Sequence, residues 1–262
     1  MLSGRQCTTM NITGNTILIT GGGSGIGRGL AEALLALGNQ VIIAGRRKQV
    51  LDETTAANPG MKSATLNIEN AASILDFAAQ MEKDYPAMNV VIQNAGIMRV
   101  EDLKSPNLTD AEAIITTNLL GPIRLTAALL PLLQKQTYST IMTVSSGLAF
   151  IPLTLTPTYC ATKAAIHSWT QSLRYQLEDT KVEVLELIPP YVQTELMGEH
   201  QNTDPRAMPL KEYIAETIEI LKTQPTPAEI CVERVRPLRF AAENSNYATI
   251  FDGLNTTSPH RT

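Results

Sequence analysis

Tyr159 and Lys163 stand four residues apart in the run Tyr159-Cys160-Ala161-Thr162-Lys163, which opens a helical pattern, so both side chains leave one helix face. A free tyrosine titrates near pKa ~10, and bringing it toward neutrality takes roughly 4 kcal/mol of preferential stabilisation of the phenolate. An ammonium a few ångströms away supplies that field and makes the phenol a general acid–base. Upstream, Val144-Ser145-Ser146 closes an apolar run and sets a hydroxyl at the same edge, where Ser146 can hydrogen-bond a carbonyl oxygen or alkoxide. The Tyr–Lys spacing alone also fits a half-buried packing tyrosine, so the elements around it decide.

The apolar run Ile17-Leu18-Ile19 leads straight into Thr20-Gly21-Gly22-Gly23-Ser24-Gly25-Ile26-Gly27, then into an apolar helix carrying Leu30, Ala33, Leu34 and Leu37. Such a turn brings bare backbone N–H groups to a helix N-terminus, where a pyrophosphate can sit. Gly25 lets backbone approach a phosphate, Gly27 lets helix close on strand, and Val41-Ile42-Ile43 completes a βαβ unit. A sharp bend without a ligand is the other reading of the glycines.

Strand-like runs recur at 16–20, 41–44, 63–67, 90–93, 140–145, 182–188 and 248–251, between helical patterns that include 26–37, 70–84, 110–134 and 158–178. That rhythm predicts an α/β fold: a Rossmann-type, doubly wound, seven-stranded and mostly parallel sheet with helices on both faces. Pro190, Gly198, Pro205 and Pro209 break up 190–210, and a helical stretch follows near 211–222. A long irregular segment at the carboxyl edge of such a sheet reads as a substrate lid near 190–222, or as surface irregularity.

NAD-binding units place an acid beyond the glycines for the ribose 2′-hydroxyl, whereas arginine accommodates a 2′-phosphate. Here the second strand ends Ala44-Gly45-Arg46-Arg47-Lys48, with no carboxylate before Asp52, which favours NADP(H). Basic residues at a helix start are unfavourable without a nearby anion, although charge runs also decorate solvated surfaces.

The 262 residues, 44% hydrophobic, suit one domain over 11–255, with a disordered extension at 1–10 and a disordered tail at 256–262. A net charge of −4 argues against a nucleic-acid partner. No apolar run reaches the ~18 residues of a membrane span, and no signal peptide is legible, so a soluble cytoplasmic protein without a membrane partner is expected. Cys7, Cys160 and Cys231 are odd in number and widely spaced, as reduced thiols are. His167, His200 and His260 lack metal-binding spacing, so no metal is expected; His167 reads as a satisfied polar helix residue.

Together these motifs resemble the classical short-chain dehydrogenase/reductase family over residues 12 to about 200. The family's TGxxxGxG stands as Thr20-Gly21 with Gly25 and Gly27, its NNAG as Gln93-Asn94-Ala95-Gly96, its catalytic asparagine as Asn118, and its Ser–Tyr–Lys set as Ser146, Tyr159 and Lys163. The stretch 188–196 and the run Phe251-Asp252-Gly253-Leu254-Asn255 are similar to the DltE-like oxidoreductase branch. The resemblance implies that Tyr159 moves the substrate proton, Lys163 also holds the nicotinamide ribose, Ser146 orients the carbonyl, and Asn118 fixes a relay water through its main chain. Pro122, lacking an N–H, would leave the Asn118 carbonyl free for that water, or simply kink the helix.

It further implies cofactor contacts from Gly21, Gly23, Ser24, Gly25, Ile26, Gly27, Arg46, Arg47, Asn67, Ile68, Asn94, Ala95, Gly96, Tyr159, Lys163, Pro189, Val192 and Thr194. Thr194 would meet the nicotinamide carboxamide. Three positions depart from the pattern. Gln93 replaces an asparagine and should alter a strand-to-strand contact, Asn67 stands where an aspartate often meets adenine, and Pro189-Pro190 replaces Pro-Gly. Ser146, Leu148, Leu153, Tyr159, Tyr191, Leu196 and Met197 are the expected substrate contacts, mostly apolar. The expected activity is NADPH-dependent reduction of an apolar or aromatic ketone or aldehyde, or the reverse alcohol oxidation, in a homodimer or homotetramer formed through the helices at 110–134 and 158–178. The alternative is a non-catalytic NADP(H)-binding regulatory protein.

Overall fold

The computed structural model describes residues 10–223 and 225–256; of the disorder expected at 1–10 and 256–262, residues 1–9 and 257–262, with Cys7 and His260, lie outside them, while Thr256 closes the last helix. Met10, expected in the extension, is instead buried in the core against the first strands. An apolar side chain one turn ahead of β1 gains more from burial than from solvent.

The chain runs β1 (Thr16–Thr20), α1 (Gly25–Ala36), β2 (Gln40–Gly45), α2 (Lys48–Ala57), β3 (Lys62–Thr65), α3 (Ala71–Asp84) and β4 (Val90–Gln93). It continues through α4 (Thr109–Ile115), a π-turn at Thr116–Leu120, α5 (Gly121–Gln134), β5 (Ser139–Val144), α6 (Pro157–Gln176), β6 (Val182–Leu187), α7 (Leu210–Leu221), β7 (Glu229–Ile230), α8 (Arg236–Arg239) and α9 (Tyr247–Thr256). All seven strands are parallel in the order β3-β2-β1-β4-β5-β6-β7. The central strands β1 and β4 are fully buried Val/Ile-rich runs because helices cover both faces. Ile17, Ile19, Ile43 and Ile92 point to α1 and α7, while Leu18, Ile42, Val91 and Ile141 point to α3 and α5. The chain winds outward from β1 to β3 and then returns to β4 on the other side of β1. The carboxyl ends of β1 and β4 therefore diverge and leave a crevice, the place where ligands bind in open α/β sheets.

Three expectations change. The seventh strand is Glu229–Ile230, not 248–251, which lies in α9; a short apolar run has no period that separates strand from helix. The third strand stops at Thr65, so Leu66 and Asn67 fall in the following loop. Helix α7 buries Tyr213, Ile214, Ile218 and Leu221 in the core, so the segment free to cover the crevice ends before Leu210 rather than at 222.

The helical run Thr109–Gln134 is long and apolar enough to cross a membrane by length and composition, with mean hydropathy 1.4. A count of uninterrupted apolar residues passes over it because threonines and Asn118 break the run. Its C-terminal half lays Leu125, Leu129, Leu132 and Leu133 on the sheet as a core helix does.

Candidate active site

The crevice opens into a cavity of about 950 Å³. At one end lies the entry to α1. Gly21 (φ +66) and Gly25 (φ +51) take backbone that favours glycine, and Gly21, Gly23, Ser24, Gly25 and Ile26 all line the cavity. Ser24 makes no side-chain cap, and no acidic residue occupies the first turn of α1, so the helix offers its N-terminus to an anion. Gly27 is not a lining residue: it packs α1 onto β1 so closely that a Cβ would overlap the Gly21 carbonyl oxygen and Asn94 Nδ2. Asn94 Nδ2 donates to the carbonyls of Thr20 (3.1 Å) and Gly21 (3.3 Å), and Ala95 N donates to Thr20 Oγ1 (3.0 Å), which ties the β4 terminus to the glycine turn. Gln93, expected to touch a neighbouring strand, instead donates from Nε2 to Thr126 Oγ1 of α5 at 2.5 Å, because its longer side chain reaches the covering helix.

At the rim, Arg47 Nη2 donates to Ser24 Oγ at 3.4 Å, and Arg46 forms an ion pair with Glu69. Glu69 Oε1 also accepts from Thr117 Oγ1 at 2.9 Å. Sequence reasoning missed this acid because it comes from the β3–α3 loop rather than from the end of β2. Ile68, Asn94, Ala95 and Gly96 line the cavity as expected, but Asn67 does not. Its Oδ1 accepts from the Glu69 N–H at 3.1 Å, a local turn that directs the amide away from the crevice.

At the other end stand Ser146, Tyr159 and Lys163, all buried and all lining the cavity. Lys163 Nζ donates to the Val144 carbonyl at 2.7 Å and lies 5.6 Å from the centre of the Tyr159 ring. Burial pushes the Tyr159 phenol above its ordinary value, a hydrogen bond with Ser146 opposing it in part, so desolvation outweighs the acidification expected from the lysine. Burial also lowers Lys163 to about 8, against the field of Glu186, which raises it. Ser146 Oγ accepts from Leu148 N at 3.1 Å, at the turn after β5. Asn118 sits in the π-turn with its side chain fully used: Oδ1 accepts from Ile97 N and Nδ2 donates to Ile97 O, both at 2.9 Å. That leaves its main chain for other work, and Pro122 has no N–H for the Asn118 carbonyl. At Gly96 an added Cβ would lie 3.3 Å from Asn118 Oδ1 and 3.8 Å from Lys163 Nζ, so this glycine keeps the floor of the site open.

The roof is the 190–209 segment. Val192 bridges Met208 in parallel, and Gln193 N and Met208 N donate to Met208 O and Tyr191 O at 2.8 Å each. Gln201 staples it from within: Nε2 donates to Val192 O (2.7 Å) and Thr194 Oγ1 (3.0 Å), and Oε1 accepts from Met197 N (2.9 Å). Thr194 meets the glycine turn, its Cγ2 3.4 Å from the Cβ position of Gly25. Pro189, Val192, Tyr191, Leu196 and Met197 line the cavity. Leu148, Leu153 and Met197 gather with Met98, Ile114 and Tyr159 in one apolar cluster. Met98, Gln201, Leu238 and Leu254 were not legible as site residues. The last two come from α8 and α9, and Asn255 of α9 pins the loop before α6 by accepting from Thr154 N at 2.7 Å.

A family model of short chain dehydrogenase matches residues 15–205. The uncharacterized oxidoreductase DltE of Bacillus subtilis (strain 168) is 40% identical over 253 residues, covering 94% of this chain and 99% of that protein. An uncharacterized oxidoreductase of Staphylococcus aureus (strain USA300) is 27% identical, covering 87% and 99%. Among solved structures, a short chain dehydrogenase from Burkholderia cenocepacia in complex with NADP superposes with a TM-score of 0.78 at 24% identity, covering 95% of this chain and 100% of that one. One from Burkholderia phymatum in complex with NAD gives 0.77 at 19% identity, covering 97% and 100%. The fold is shared with both cofactor types. The chain is an oxidoreductase that belongs to the short-chain dehydrogenase/reductase family.

Proposed function

We propose that the protein is an NADP(H)-dependent carbonyl reductase, or the reverse alcohol dehydrogenase, acting on apolar or aromatic ketones, aldehydes or the matching alcohols. The observation that carries the reading is one cavity with an uncapped helix N-terminus at one end and Ser146, Tyr159 and Lys163 at the other. The residues fit a dinucleotide: Gly21, Gly25 and Gly96 line the cavity with bare backbone, and the α1 N-terminus is available to phosphate. When bound, the reduced nicotinamide supplies a hydride. Tyr159, protonated because its burial raises it, delivers a proton to the substrate oxygen, while Ser146 orients that oxygen and Lys163 carries positive charge beside it. Thr194, Pro189 and Val192 would hold the nicotinamide side of the cofactor, and Leu148, Leu153, Tyr191, Leu196 and Met197 would exclude water around an apolar substrate.

The test mixes protein and NADPH with a panel of ketones and aldehydes and follows loss of the reduced-nicotinamide absorbance. Turnover of apolar carbonyl compounds supports the reading. Tight NADPH binding without turnover of any panel member would favour the regulatory alternative.

The basic pair at the rim supports NADP(H) over NAD(H), and the Arg46–Glu69 ion pair sets its degree. Arg46→Ala should weaken NADPH relative to NADH by about tenfold, whereas Glu69→Gln, which frees the guanidinium, should strengthen the NADPH preference several-fold. Dissociation constants for both nucleotides check this. Equal changes for the two cofactors would remove Arg46 from phosphate recognition.

Gln201→Leu should raise KM about tenfold and leave kcat nearly unchanged, because three buried hydrogen bonds of the roof are lost while the groups around Tyr159 stay in place. Steady-state kinetics on any panel substrate reads the split. We place the protein in the cytoplasm as a homodimer or homotetramer, by resemblance to the family, with α5 and α6 as the pairing helices.

A further inference from the structure

Glu186 is fully buried in β6, does not line the cavity, and has no part in the reaction as described. Its register partners are Thr143 of β5 and Glu229 of β7. Its carboxylate rises toward α6, where His167 Nδ1 meets the two oxygens at 3.0 and 2.9 Å. His167 follows Lys163 by four residues on the same helix face, about 6 Å further along the axis. Lys163 reaches the carbonyl of Val144, which is next to Thr143 and one strand spacing, about 4.8 Å, from β6.

A carboxylate in such a place is costly unless opposite charge and hydrogen bonds face it. The neighbours from each element can be named. On α6, His167 turns its other nitrogen to Gln171 at 3.2 Å, and Thr170 is bonded to Thr143 of β5 at 2.8 Å. On the β7 side, Glu229 is held by Arg239 of α8 at 2.7 and 3.1 Å, and Arg239 also binds Glu243; Cys231 follows the strand. The guanidinium is thus committed to two other carboxylates. Around Lys163 itself stand Tyr159, Ser146, the Val144 carbonyl and Asn118, none of them an anion in the resting protein.

We propose that Glu186, held in place by His167, is the buried counter-charge of Lys163 and acts as a positioning residue for it. It touches neither cofactor nor substrate and works through the lysine. Burial strips water from the Lys163 ammonium, and the field of Glu186 opposes the loss of its proton. The inference rests on the assignment of Lys163 to the site, but it concerns the free protein.

The experiment is a carbon-13 NMR titration of the lysine ε-carbons in the full-length, cofactor-free protein, with the Lys163 signal identified by its disappearance in Lys163→Met. In the wild type the midpoint should lie near 8. Glu186→Gln, which keeps a hydrogen-bonding partner for His167 but removes the charge, should move it down by about one pH unit. His167→Gln, which keeps the charge on Glu186, should leave it in place. An unchanged midpoint in Glu186→Gln, or equal drops in both variants, overturns the proposal. Should Glu186→Gln not fold, the wild type still decides: a midpoint below about 6, where uncompensated buried lysines titrate, shows that no counter-charge operates. Neither cofactor nor substrate enters the measurement, so its failure is separate from a failure of the reductase reading.

Discussion

Tyr159→Phe should lower kcat about a thousandfold and leave the NADPH dissociation constant within about twofold. The substitution removes one oxygen and keeps the ring that packs with Met98, Ile114 and Cys160, so neither the cavity nor the α6 helix has reason to move. What is lost is a proton donor beside the substrate oxygen, and a factor of 10³ corresponds to ~4 kcal/mol of transition-state stabilisation. The pH dependence carries the sign. The phenol is raised by burial, so it stays protonated through the neutral range. Carbonyl reduction should therefore be flat near neutrality and fall on the alkaline side, whereas alcohol oxidation, which needs the phenolate, should rise with pH. Steady-state rates in both directions, with calorimetric titration of NADPH, check each part. A Phe variant within tenfold of wild type would remove Tyr159 from the proton transfer.

Gly27→Ala should abolish measurable NADPH binding, a loss of a hundredfold or more, and lower Tm by roughly 5–10 °C. One methyl group is added, but at that point it meets the Gly21 carbonyl oxygen and Asn94 Nδ2 at distances no real contact shows. Neither neighbour yields cheaply. Gly21 is main chain held at positive φ with its N–H bonded to Ala44 O at 2.7 Å, and Asn94 is fixed by its bonds to Thr20 and Gly21. Relief comes only by moving α1 away from β1, which spoils the turn that would meet the phosphates. Gly253→Ala in α9, where nothing among the described residues lies within 4 Å of the added atom, is the matched control and should be neutral. Thermal unfolding and NADPH titration of the pair separate the clash from the generic effect of losing a glycine.

Much of this was written locally. The glycine turn follows β1 without a gap, and Tyr159 and Lys163 share a helix face by spacing alone, so each is legible in a few consecutive residues. The buried strands were equally plain, because a parallel sheet covered on both sides demands unbroken Val/Ile runs. What was not legible depends on segments far apart in the chain. Glu69 matters because a loop carries it to Arg46, Gln201 because the roof folds back over Thr194, and Glu186 because α6 crosses β6 at His167. The two-residue β7 is too short to have a pattern, and α9 supplied the apolar run that was read in its place. The direction of the Tyr159 shift was misjudged for a related reason: spacing shows that a cation is one turn away, but not how thoroughly both groups are removed from water.

The sheet ends in strands of four residues at β3 and two at β7, with exposed Lys62 at one margin and the Arg239–Glu229 pair at the other. Unpaired N–H and C=O groups at a sheet margin invite another chain to add on, and longer, flatter, more apolar margins do so more. These two offer little length to copy, and each carries charge that an incoming strand would have to strip of water. Self-association of this protein by strand addition is therefore suppressed at both margins of the sheet.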